Sequence, residues 1–465
     1  MSAATPYGPT GRWFSMGPDP TRTAAITSPA RFKLLHAGRR AYKSEIAKRD
    51  VVRRLRRSFI EPPAWIPYRV GVFAPTRPQV KTLWWADLKA LIPWAWVAGV
   101  SETELTIRLV WGAELILYGT DRPERAEGIG FDLVVLDEIA NMRPDVWPAH
   151  IRPTLSDRRG AAWFVGVPEG RNYYYDLVQH AKADPTGDWG AWGWHSDTVL
   201  PAEEIESARR DLDDLVFRQE YGGEFVAWQG QAYYAFSPAL HCRPCAYDPA
   251  APLLLCFDFN VSPGVCAVCQ RRPTADGPVV EVVGEVWIPR NSNTQHVCRK
   301  LLADWGDHAG AVICYGDPSG GATGSAKVQG SDWDIIRAEL RPAFGARLSF
   351  RVPRQAPRER ARVNTVNSRL RNSLGECRLF VDPQRAPHVV KDLDGVAVLE
   401  GGSGEIDKRP GKAHDLTHIS DALGYFLHYE WGVGNPQRIY RELGAPDRDG
   451  GRVLTGIELN DRQTA

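Results

Sequence analysis

Short apolar runs alternate with helix-like segments over the first half of the chain, and this alternation constrains the fold more than any other feature. The helix-like segments include KSEIAKRDVVRRLRR and QVKTLWWADLKALI. The apolar runs have the length of strands, and they are RFKLLHA, YRVGVFAP, ELILYGT, DLVVLDE and AAWFVGVP. Such alternation predicts an α/β domain with a mostly parallel sheet that is covered by helices.

A different pattern begins near residue 251, where three successive apolar runs are joined by connections short enough for antiparallel pairing. These runs are LLLCFDFN, GVCAVCQR and VVEVVGEVWI. The strands AVICYGD and RLSFRV then alternate with helices that we predict near residues 292–307, 332–341, 358–374 and 414–430. The second half is therefore expected to form a sheet of its own.

The length of 465 residues exceeds what one hydrophobic core normally serves, so two domains are expected. Residues 1–30 are rich in Pro, Gly, Ser and Thr and are predicted to be an arm or a partly disordered lead-in. Residues 201–224 are predicted to form one helix that closes the first domain. The predicted order after the arm is a first domain, a linker, a second domain and a C-terminal tail, at residues 31–225, 226–250, 251–432 and 433–465.

Charge is distributed unevenly, although the net charge is only +1. Residues 1–60 carry thirteen Lys and Arg against three Asp and Glu, and residues 337–371 carry ten Arg against two Glu. Each basic stretch could face phosphates or could be a solvated surface. No run of about 18 apolar residues occurs without a charge or a helix breaker, which predicts a protein that is neither secreted nor membrane-spanning.

The eight cysteines are expected to be reduced thiols. Four of them, Cys242, Cys245, Cys266 and Cys269, have the C-x2-C spacing of a zinc site. However, Cys266 and Cys269 lie in a predicted strand, where a separation of three residues sends the two side chains to opposite faces. We therefore expect no structural zinc.

The segment RFKLLHAGRRAYKSEIAKR has most of what a P-loop requires. A P-loop joins a strand to a helix by a turn of backbone amides around phosphate oxygens, with a Lys for the outer phosphates and a Ser or Thr for magnesium. Ala37 and Tyr42 replace the two usual glycines, and the Tyr42 side chain stands where backbone closely approaches phosphate. The predicted nucleotide-binding residues are Gly38, Arg39, Arg40, Ala41, Tyr42, Lys43 and Ser44.

The acidic partner of this loop is FDLVVLDE, four apolar residues followed by Asp137 and Glu138. In an ATPase the first carboxylate orders the magnesium ion and the second polarises the attacking water. Alone, the motif could be a strand that leads into a turn. Both motifs in this order, on an α/β pattern, favour an ATPase.

Three acidic residues of the second half suggest a two-metal nuclease. Asp258 ends the first strand, Asp317 ends the later strand VICYGD, and Asp421 lies in the last predicted helix. A ribonuclease H-like fold brings these elements together, because its central first strand, adjacent fourth strand and last helix meet at one edge. Two-metal hydrolysis of phosphodiesters needs carboxylates placed in this way.

Histidines precede Asp421 on the same helix. His414, His418 and Asp421 are spaced i, i+4, i+7 and share one face, with Asp415 beside them. His418 could orient a metal ligand or relay a proton. It could equally cap the helix or pack against the domain.

These motifs together resemble the large subunit of tailed-phage terminases over about residues 31–430. AGRRAYKS is similar to their Arg-bearing Walker A motif, VVLDE to their Walker B motif, and FRQEYGGEFV to the end of their ATPase domain. DFN, GDPSG and the pattern H-x-x-D-A-L-x-Y resemble their nuclease domain. The resemblance implies a P-loop ATPase domain of the ASCE type followed by a ribonuclease H-like nuclease domain.

The resemblance also implies roles for single residues. Lys43 and Ser44 would bind ATP and its Mg²⁺. Asp137 would help to hold the metal, and Glu138 would be the catalytic carboxylate. Residues 166–170 would couple the state of the nucleotide to the grip on DNA. Arg39, or Arg152 or Arg158 supplied to a neighbouring subunit, would stabilise the transferring phosphate. Two Mg²⁺ or Mn²⁺ ions would be held in the nuclease by Asp258, Asp317 and Asp421, with Asp415 as a fourth ligand.

The partners implied are double-stranded DNA, a portal protein, a small terminase subunit and further copies of the chain in a ring on the procapsid. The implied location is the cytoplasm of an infected bacterium, transiently at the portal and not in the mature virion. One alternative is a helicase-like ATPase and nuclease of cellular DNA repair or recombination, although a full set of helicase motifs is not present. Another is a binding protein without catalysis, to which Tyr42 points and which the intact acidic residues oppose.

Two further features admit more than one interpretation. RVPRQAPRERARVNTVNSRLRN is predicted to bury Val363, Val366 and Leu370 and to expose Arg354, Arg358 and Arg362 toward the DNA backbone. The tryptophans could stack on bases, but most are expected in the core because they lie in apolar helix-like segments. Those considered are Trp84, Trp85, Trp94 and Trp96.

Overall fold

The computed structural model describes residues 16–17, 19–226, 230–259, 263–321, 331–399, 405–408 and 416–432. The chain divides into two compact units, one of Met1–Ile205 with Phe217–Ala227 and one of Glu206–Val216 with Trp228–Ala465. Each unit has a sheet of its own. Within the described residues, no helix has the length and apolar character needed to cross a membrane.

The first unit contains eight strands in the order β3-β4-β5-β2-β6-β7-β1-β8. All neighbours are parallel except β3 with β4 and β4 with β5, so the predicted, mostly parallel sheet is confirmed. The strands are β1 Phe32–Ala37, β2 Arg69–Ala74, β3 Val97–Ser101, β4 Thr106–Leu109, β5 Glu114–Gly119, β6 Leu133–Asp137, β7 Ala161–Gly166 and β8 Trp189–Trp194.

The helices of this unit cover both faces of the sheet. They are α1 Pro20–Thr27, α2 Lys43–Ile60, α3 Arg77–Val80, α4 Ala86–Leu91 and α5 Tyr173–Ala183, and the π-helix Lys81–Trp85 connects α3 to α4. Successive side chains of β1 alternate between two cores, since Leu35 joins one apolar cluster and Phe32 and Leu34 join the other. This alternation is what a strand buried on both faces requires.

Helix α1 corrects the prediction that residues 1–30 are only an arm. Asp19 caps the helix by accepting a hydrogen bond from the Arg22 amide at 2.7 Å, and Pro20 occupies the first turn. Ala25 is fully buried in the core of the first unit. The core therefore begins before residue 31.

The single helix predicted over residues 201–224 is two helices, α6 Ala202–Asp211 and α7 Asp214–Glu220. The interruption arises at Asp213, whose buried carboxylate accepts a hydrogen bond from the Val216 amide at 3.0 Å and so begins a new helix. Residues 206–216, which were expected in the first domain, belong to the second unit.

The second unit contains a six-stranded sheet in the order β13-β12-β9-β10-β11-β14. β10 is antiparallel to β9 and β11, as predicted, whereas β12 is parallel to β9. The central first strand beside the fourth strand is the expected ribonuclease H-like order. The strands are β9 Leu253–Asp258, β10 Gly264–Arg272, β11 Val279–Ile288, β12 Val312–Gly316, β13 Leu348–Phe350 and β14 Leu379–Val381.

Helices again cover the sheet of the second unit. They are α8 Pro238–His241, α9 Thr294–Trp305, α10 Asp332–Phe344, α11 Glu359–Leu370, α12 Pro387–Gly395 and α13 His418–Trp431. α13 packs on β9, β10 and β12 and against α11. The last helix therefore lies over the strands that end in acidic residues.

Candidate active sites

The loop between β1 and α2 has the backbone path of a P-loop, with β1 ending at Ala37 and α2 beginning at Lys43. Arg40 and Tyr42 adopt left-handed conformations, with φ of 57° and 64°. Gly38 is required for a close approach, because a Cβ there would lie 2.1 Å from Ser196 Oγ. The loop is thus packed against the polypeptide around Ser196.

The Lys43 ammonium is buried beneath this loop. Its Nζ donates hydrogen bonds to the carbonyl oxygens of Ala37 at 2.8 Å and Gly38 at 2.6 Å. Burial lowers the pKa of Lys43 to about 8, against the opposing effect of Glu138 and Asp137. Lys43 therefore lies where the loop encloses it, with two neutral carbonyls as its hydrogen-bond acceptors.

Ser44 and Asp137 lie in contact at the carboxyl end of the sheet. Ser44 Oγ donates to the Asp137 carboxylate at 3.2 and 3.3 Å, and Trp84 Nε1 donates to it at 2.6 Å. Burial raises the pKa of Asp137, which is 2% exposed. The hydroxyl and the carboxylate predicted to share a magnesium ion are thus brought together.

Glu138 follows at the start of the next turn, with a φ of 57°. Burial, together with the neighbouring charge of Asp137, raises the pKa of Glu138, while Lys43 and Arg39 oppose this rise. β7 lies between β1 and β6, so P-loop and acidic residues end on one edge of the sheet. The residues at this edge can bind a nucleotide and a magnesium ion, and they include a carboxylate that can act as a base toward water.

Arg39 is held by residues that the sequence analysis did not single out. Its Nε forms an ion pair with Glu220, and its amide donates to the Glu220 carbonyl at 2.6 Å. Ser196 Oγ donates to the Arg39 carbonyl at 2.7 Å. Glu220 lies in FRQEYGGEFV, the motif that marks the end of the ATPase domain. The motif therefore drew attention to this segment, but nothing in it indicated the ion pair with Arg39.

The two other candidate arginines lie away from this P-loop. The Arg158 side chain is 7% exposed and donates to Asp132 at 2.9 Å, just before β6 begins. Arg152 lies over the ring of Phe32, the first residue of β1. Both are therefore at the amino ends of strands, away from their own P-loop, while Arg39 lies in the loop itself.

The segment after β7, residues 166–170, also lies at the carboxyl edge. The Gly170 amide donates to Gln219 Oε1 at 3.2 Å, next to the residue that pairs with Arg39. Asn172 caps α5 and donates from Nδ2 to the Ala140 carbonyl at 2.9 Å, beyond Glu138. Residues 166–170 thus contact the residue beside Glu220, and Asn172, just after them, contacts the turn that follows Glu138.

A second cluster lies at the carboxyl ends of β9 and β12. Gly316 pairs with Phe257 in parallel register, so the residues that follow, Asp317 and Asp258, are neighbours. Tyr425 on α13 donates its hydroxyl to Asp317 Oδ2 at 2.9 Å. The Nδ1 atom of His418 lies 3.4 Å from Asp258 Oδ2.

Asp421 joins the same cluster but has cationic partners. Arg362 lies 3.1 Å from one carboxylate oxygen and Lys408 lies 3.4 Å from the other. Burial raises the pKa of Asp421 while these cations oppose the rise, and the negative charge of Asp258 adds to it. Asp415 and His414 lie outside the described residues.

These three carboxylates supply the hard oxygen donors that Mg²⁺ and Mn²⁺ prefer, at the edge where the fold predicts them. As the side chains stand, however, no three His, Cys, Asp or Glu residues in the described part of the chain are grouped to hold a metal ion. The donor set fits divalent ions in chemical type, although the side chains would have to regroup to hold them. Asp421 would have to exchange a cationic neighbour for an ion.

His418 is not the cap of α13. That role belongs to Asp392, whose Oδ2 accepts hydrogen bonds from the Thr417 and Ser420 amides at 3.0 and 3.1 Å. Burial raises the pKa of Asp392 to about 6. The hydrogen bond with Asp258 raises the pKa of His418, which is consistent with a histidine that orients the Asp258 carboxylate.

The arginine-rich stretch is α11 with its lead-in. Val363, Val366 and Leu370 are buried, and Arg354 and Arg358 are exposed, as predicted. The prediction for Arg362 is wrong, because it is 6% exposed and faces Asp421.

The tryptophan prediction was also only partly right. Trp84 and Trp85 are buried, whereas Trp94 is 45% exposed.

The expected strand alternation of the cysteines is observed. Cys266 packs in one core of the second unit and Cys269 in the core on the other face. All eight cysteines are free thiols. Whether the protein carries zinc stays a prediction.

Comparison with known proteins finds terminase large subunits of phages, the family that the sequence motifs resemble. No family model matches. The terminase large subunit of Escherichia phage T5 is 27% identical over 210 residues, which are 42% of this chain and 47% of the relative. That of Thermus virus P23-45 is 29% identical over 134 residues, 24% of this chain and 26% of the relative. The matches therefore span less than half the length of these relatives.

The fold resembles that of a phage large terminase. The structure of the large terminase of a thermophilic bacteriophage in complex with ATP-γ-S matches with a TM-score of 0.51 and 16% identity, over 88% of this chain and 98% of that one. This likeness shows a common fold over both units. Together with the named relatives, it confirms the resemblance to phage terminase large subunits.

Proposed function

We propose that this homologue of phage terminase large subunits is the motor subunit that packages viral DNA. It would hydrolyse ATP to move double-stranded DNA into a procapsid, and it would cut concatemeric DNA by two-metal hydrolysis. The observation that carries the proposal is the placement of two acidic centres at the carboxyl edges of two separate sheets. One has the residues of an ATPase, and the other has those of a nuclease.

In the ATPase, the Lys43 ammonium would leave the carbonyls of Ala37 and Gly38 and would hydrogen-bond to the outer phosphates of ATP. Ser44 and Asp137 would hold Mg²⁺, which neutralises charge on the phosphates when it is bound. Glu138, with its raised pKa, would accept a proton from the attacking water. The nucleotide analogue bound to the thermophilic phage terminase of similar fold supports the proposal that this unit binds ATP.

Arg39 would supply the remaining positive charge. Its pairing with Glu220 keeps its guanidinium on the rim of the loop, with a side chain that is 65% exposed. An exposed arginine at this position can reach a phosphate without disturbing the core.

In the nuclease, Asp258, Asp317 and Asp421 would hold two Mg²⁺ or Mn²⁺ ions, with Asp415 as a fourth ligand. Such a pair of ions activates water and stabilises the leaving oxygen. His418 would orient Asp258, and Tyr425 would orient Asp317 through the hydrogen bond from its hydroxyl. Arg354 and Arg358, both exposed on the lead-in to α11, would contact the DNA backbone.

The name shared by the relatives, terminase large subunit, supports our proposal for the protein partners. A large subunit implies a small terminase subunit, and packaging implies a portal protein and a ring of copies on the procapsid. The protein would then act in the cytoplasm of the infected bacterium, at the portal during packaging and absent from the mature virion.

The full chain offers a direct test of both activities. We expect phosphate release from ATP that rises with double-stranded DNA, and cleavage of plasmid DNA that requires Mg²⁺ or Mn²⁺. Absence of either activity in folded protein would refute the corresponding half of the proposal. Genes for a portal and a major capsid protein beside this gene are expected, whereas repair genes there would favour the cellular alternative.

A further inference from the structure

The acidic centre of the second unit contains two cations that the proposed reaction does not use. Arg362 Nη2 lies 3.1 Å from Asp421 Oδ1, and Lys408 Nζ lies 3.4 Å from Asp421 Oδ2. Both oxygens of one carboxylate therefore face positive side chains. The two cations balance the negative charge of this carboxylate before any metal ion binds.

Arg362 is fixed in this position by burial. Its side chain is 7% exposed, and its guanidinium carbon lies 4.1 Å from the centre of the Tyr425 ring. Its Nε and Nη1 atoms are buried without a hydrogen-bond partner among the described residues. Unsatisfied buried donors destabilise the folded state, so the attraction of Asp421 must hold this guanidinium in place.

Lys408 is differently placed, because its side chain is 48% exposed. Its Nζ also lies 2.5 Å from Glu359 Oε2, at the start of α11. Lys408 can therefore leave Asp421 and keep a carboxylate partner. It is the cation of the pair that an entering ion can displace most easily.

We propose that Arg362 and Lys408 are built-in counter-cations that compete with divalent metal ions for Asp421. They hold the carboxylate in place in the metal-free protein, and they lower the affinity of the centre for Mg²⁺ or Mn²⁺. The inference rests on the proposed nuclease function. It adds that metal occupancy of this centre is limited by side chains of the chain itself.

The decisive variant is Lys408→Gln, which removes one competing charge at an exposed position. Mn²⁺ binding to the full chain is measured by titration calorimetry without nucleotide, and the Asp258→Asn variant gives the background of other sites. We expect Lys408→Gln to bind Mn²⁺ about three- to tenfold more tightly than the wild type. Lys300→Gln is the matched control, because Lys300 also pairs with a carboxylate, Asp304 at 2.7 Å, and its loss should not change the affinity.

The Arg362→Gln variant tests the buried partner by thermal unfolding. Without metal its melting temperature should fall, because Asp421 loses its closest cation. Added Mn²⁺ should then raise the melting temperature more than in the wild type. Should this variant fail to fold, the Lys408→Gln titration still decides the proposal.

The outcomes separate this inference from the function on which it rests. Wild-type protein without any Asp258-dependent Mn²⁺ binding would overturn the nuclease centre and the inference together. Binding by the wild type, with equal or weaker binding by Lys408→Gln, would overturn the inference alone.

Discussion

Lys43 is a buried cation whose hydrogen-bond acceptors are two neutral carbonyls, and a site built in this way favours an entering anion. We predict that Lys43→Ala lowers ATP turnover by at least about 100-fold, the scale of losing one positioned donor to a reacting phosphate. Steady-state phosphate release measures this. Wild-type turnover in the variant would remove the P-loop assignment.

The matched control for burial is Lys33→Ala on β1. Lys33 is also buried, with a pKa lowered to about 8 by burial, and its Nζ donates to the Ala25 carbonyl at 2.9 Å. It lies toward the amino end of the strand, away from the loop. Its replacement should affect stability but leave the turnover per folded molecule unchanged.

Single residues differ in how far the sequence could assign them. The positions of Lys43, Ser44 and Asp137 were predictable, because motif spacing fixes the first two at the start of a helix and the third at the end of a strand. Arg362 was placed outside because it is charged, although Val366 lies four residues later on the same face of α11. Its partner Asp421 is far away along the chain, and no local pattern reports such a pairing.

At the scale of elements, the P-loop is strained at Tyr42. Its φ of 64° is unfavourable for any residue with a Cβ by about 1 kcal/mol, and the Arg22 guanidinium, 5.9 Å from the ring, compensates in part. We predict that Tyr42→Gly is more stable than Tyr42→Ala by about 1 kcal/mol, since both lose the ring but only glycine relieves the strain. Chemical denaturation of the two variants decides this, and an alanine variant of equal or greater stability would contradict it.

The junction between α6 and α7 should make stability depend on pH. Burial raises the pKa of Asp213 to about 6, from an ordinary value near 3.8. A raised carboxyl pKa favours the folded state below pH 4, and this contribution is lost as the pH rises through 6. The free energy of unfolding of the wild type, minus that of Asp213→Asn, should therefore fall between pH 4 and 7, by at most about 3 kcal/mol.

Urea denaturation at a series of pH values measures this difference, and titrations elsewhere in the chain cancel in the subtraction. A difference that stays constant or grows with pH would show that Asp213 is ionised in the folded protein at low pH.

The prediction that the protein carries no zinc depends on strand β10. Cys266 and Cys269 face separate cores, and burial raises the pKa of the Cys266 thiol well above its ordinary value. A zinc ion needs thiolates on one side of the strand. Elemental analysis after dialysis against a weak chelator should find no stoichiometric zinc, and one zinc per chain that is lost in Cys242→Ser would overturn this expectation.

For the whole molecule, the sequence predicted both sheets because strands buried on two faces are continuous apolar runs. It missed β3, β4, β8 and β14, which are short or contain glycine. β8, for example, is WGAWGW, and its two glycines are unfavourable in strands. The break at Asp213 was missed for another reason, since a helix start inside a polar segment depends on tertiary contacts rather than on periodicity.

The last prediction concerns the independence of the two sites. Each lies on its own sheet, over hydrophobic clusters that contain no residue of the other unit's sheet. Asp258→Asn keeps the size of the side chain and removes one negative charge, so metal binding should weaken and DNA cleavage should fall by orders of magnitude. Asp317→Asn and Asp421→Asn should act in the same way, although Asp421→Asn also leaves the buried Arg362 without its ion pair and should lower the melting temperature.

ATP turnover should persist in these variants, because it depends on Lys43, Ser44 and Asp137. Lys43→Ala should conversely keep metal-dependent cleavage. Plasmid cleavage and phosphate release on the same preparations, with circular dichroism to exclude misfolding, separate the cases. Normal cutting by folded Asp258→Asn would remove the ribonuclease H-like centre, and loss of ATP turnover in that variant would mean that the two centres act as one.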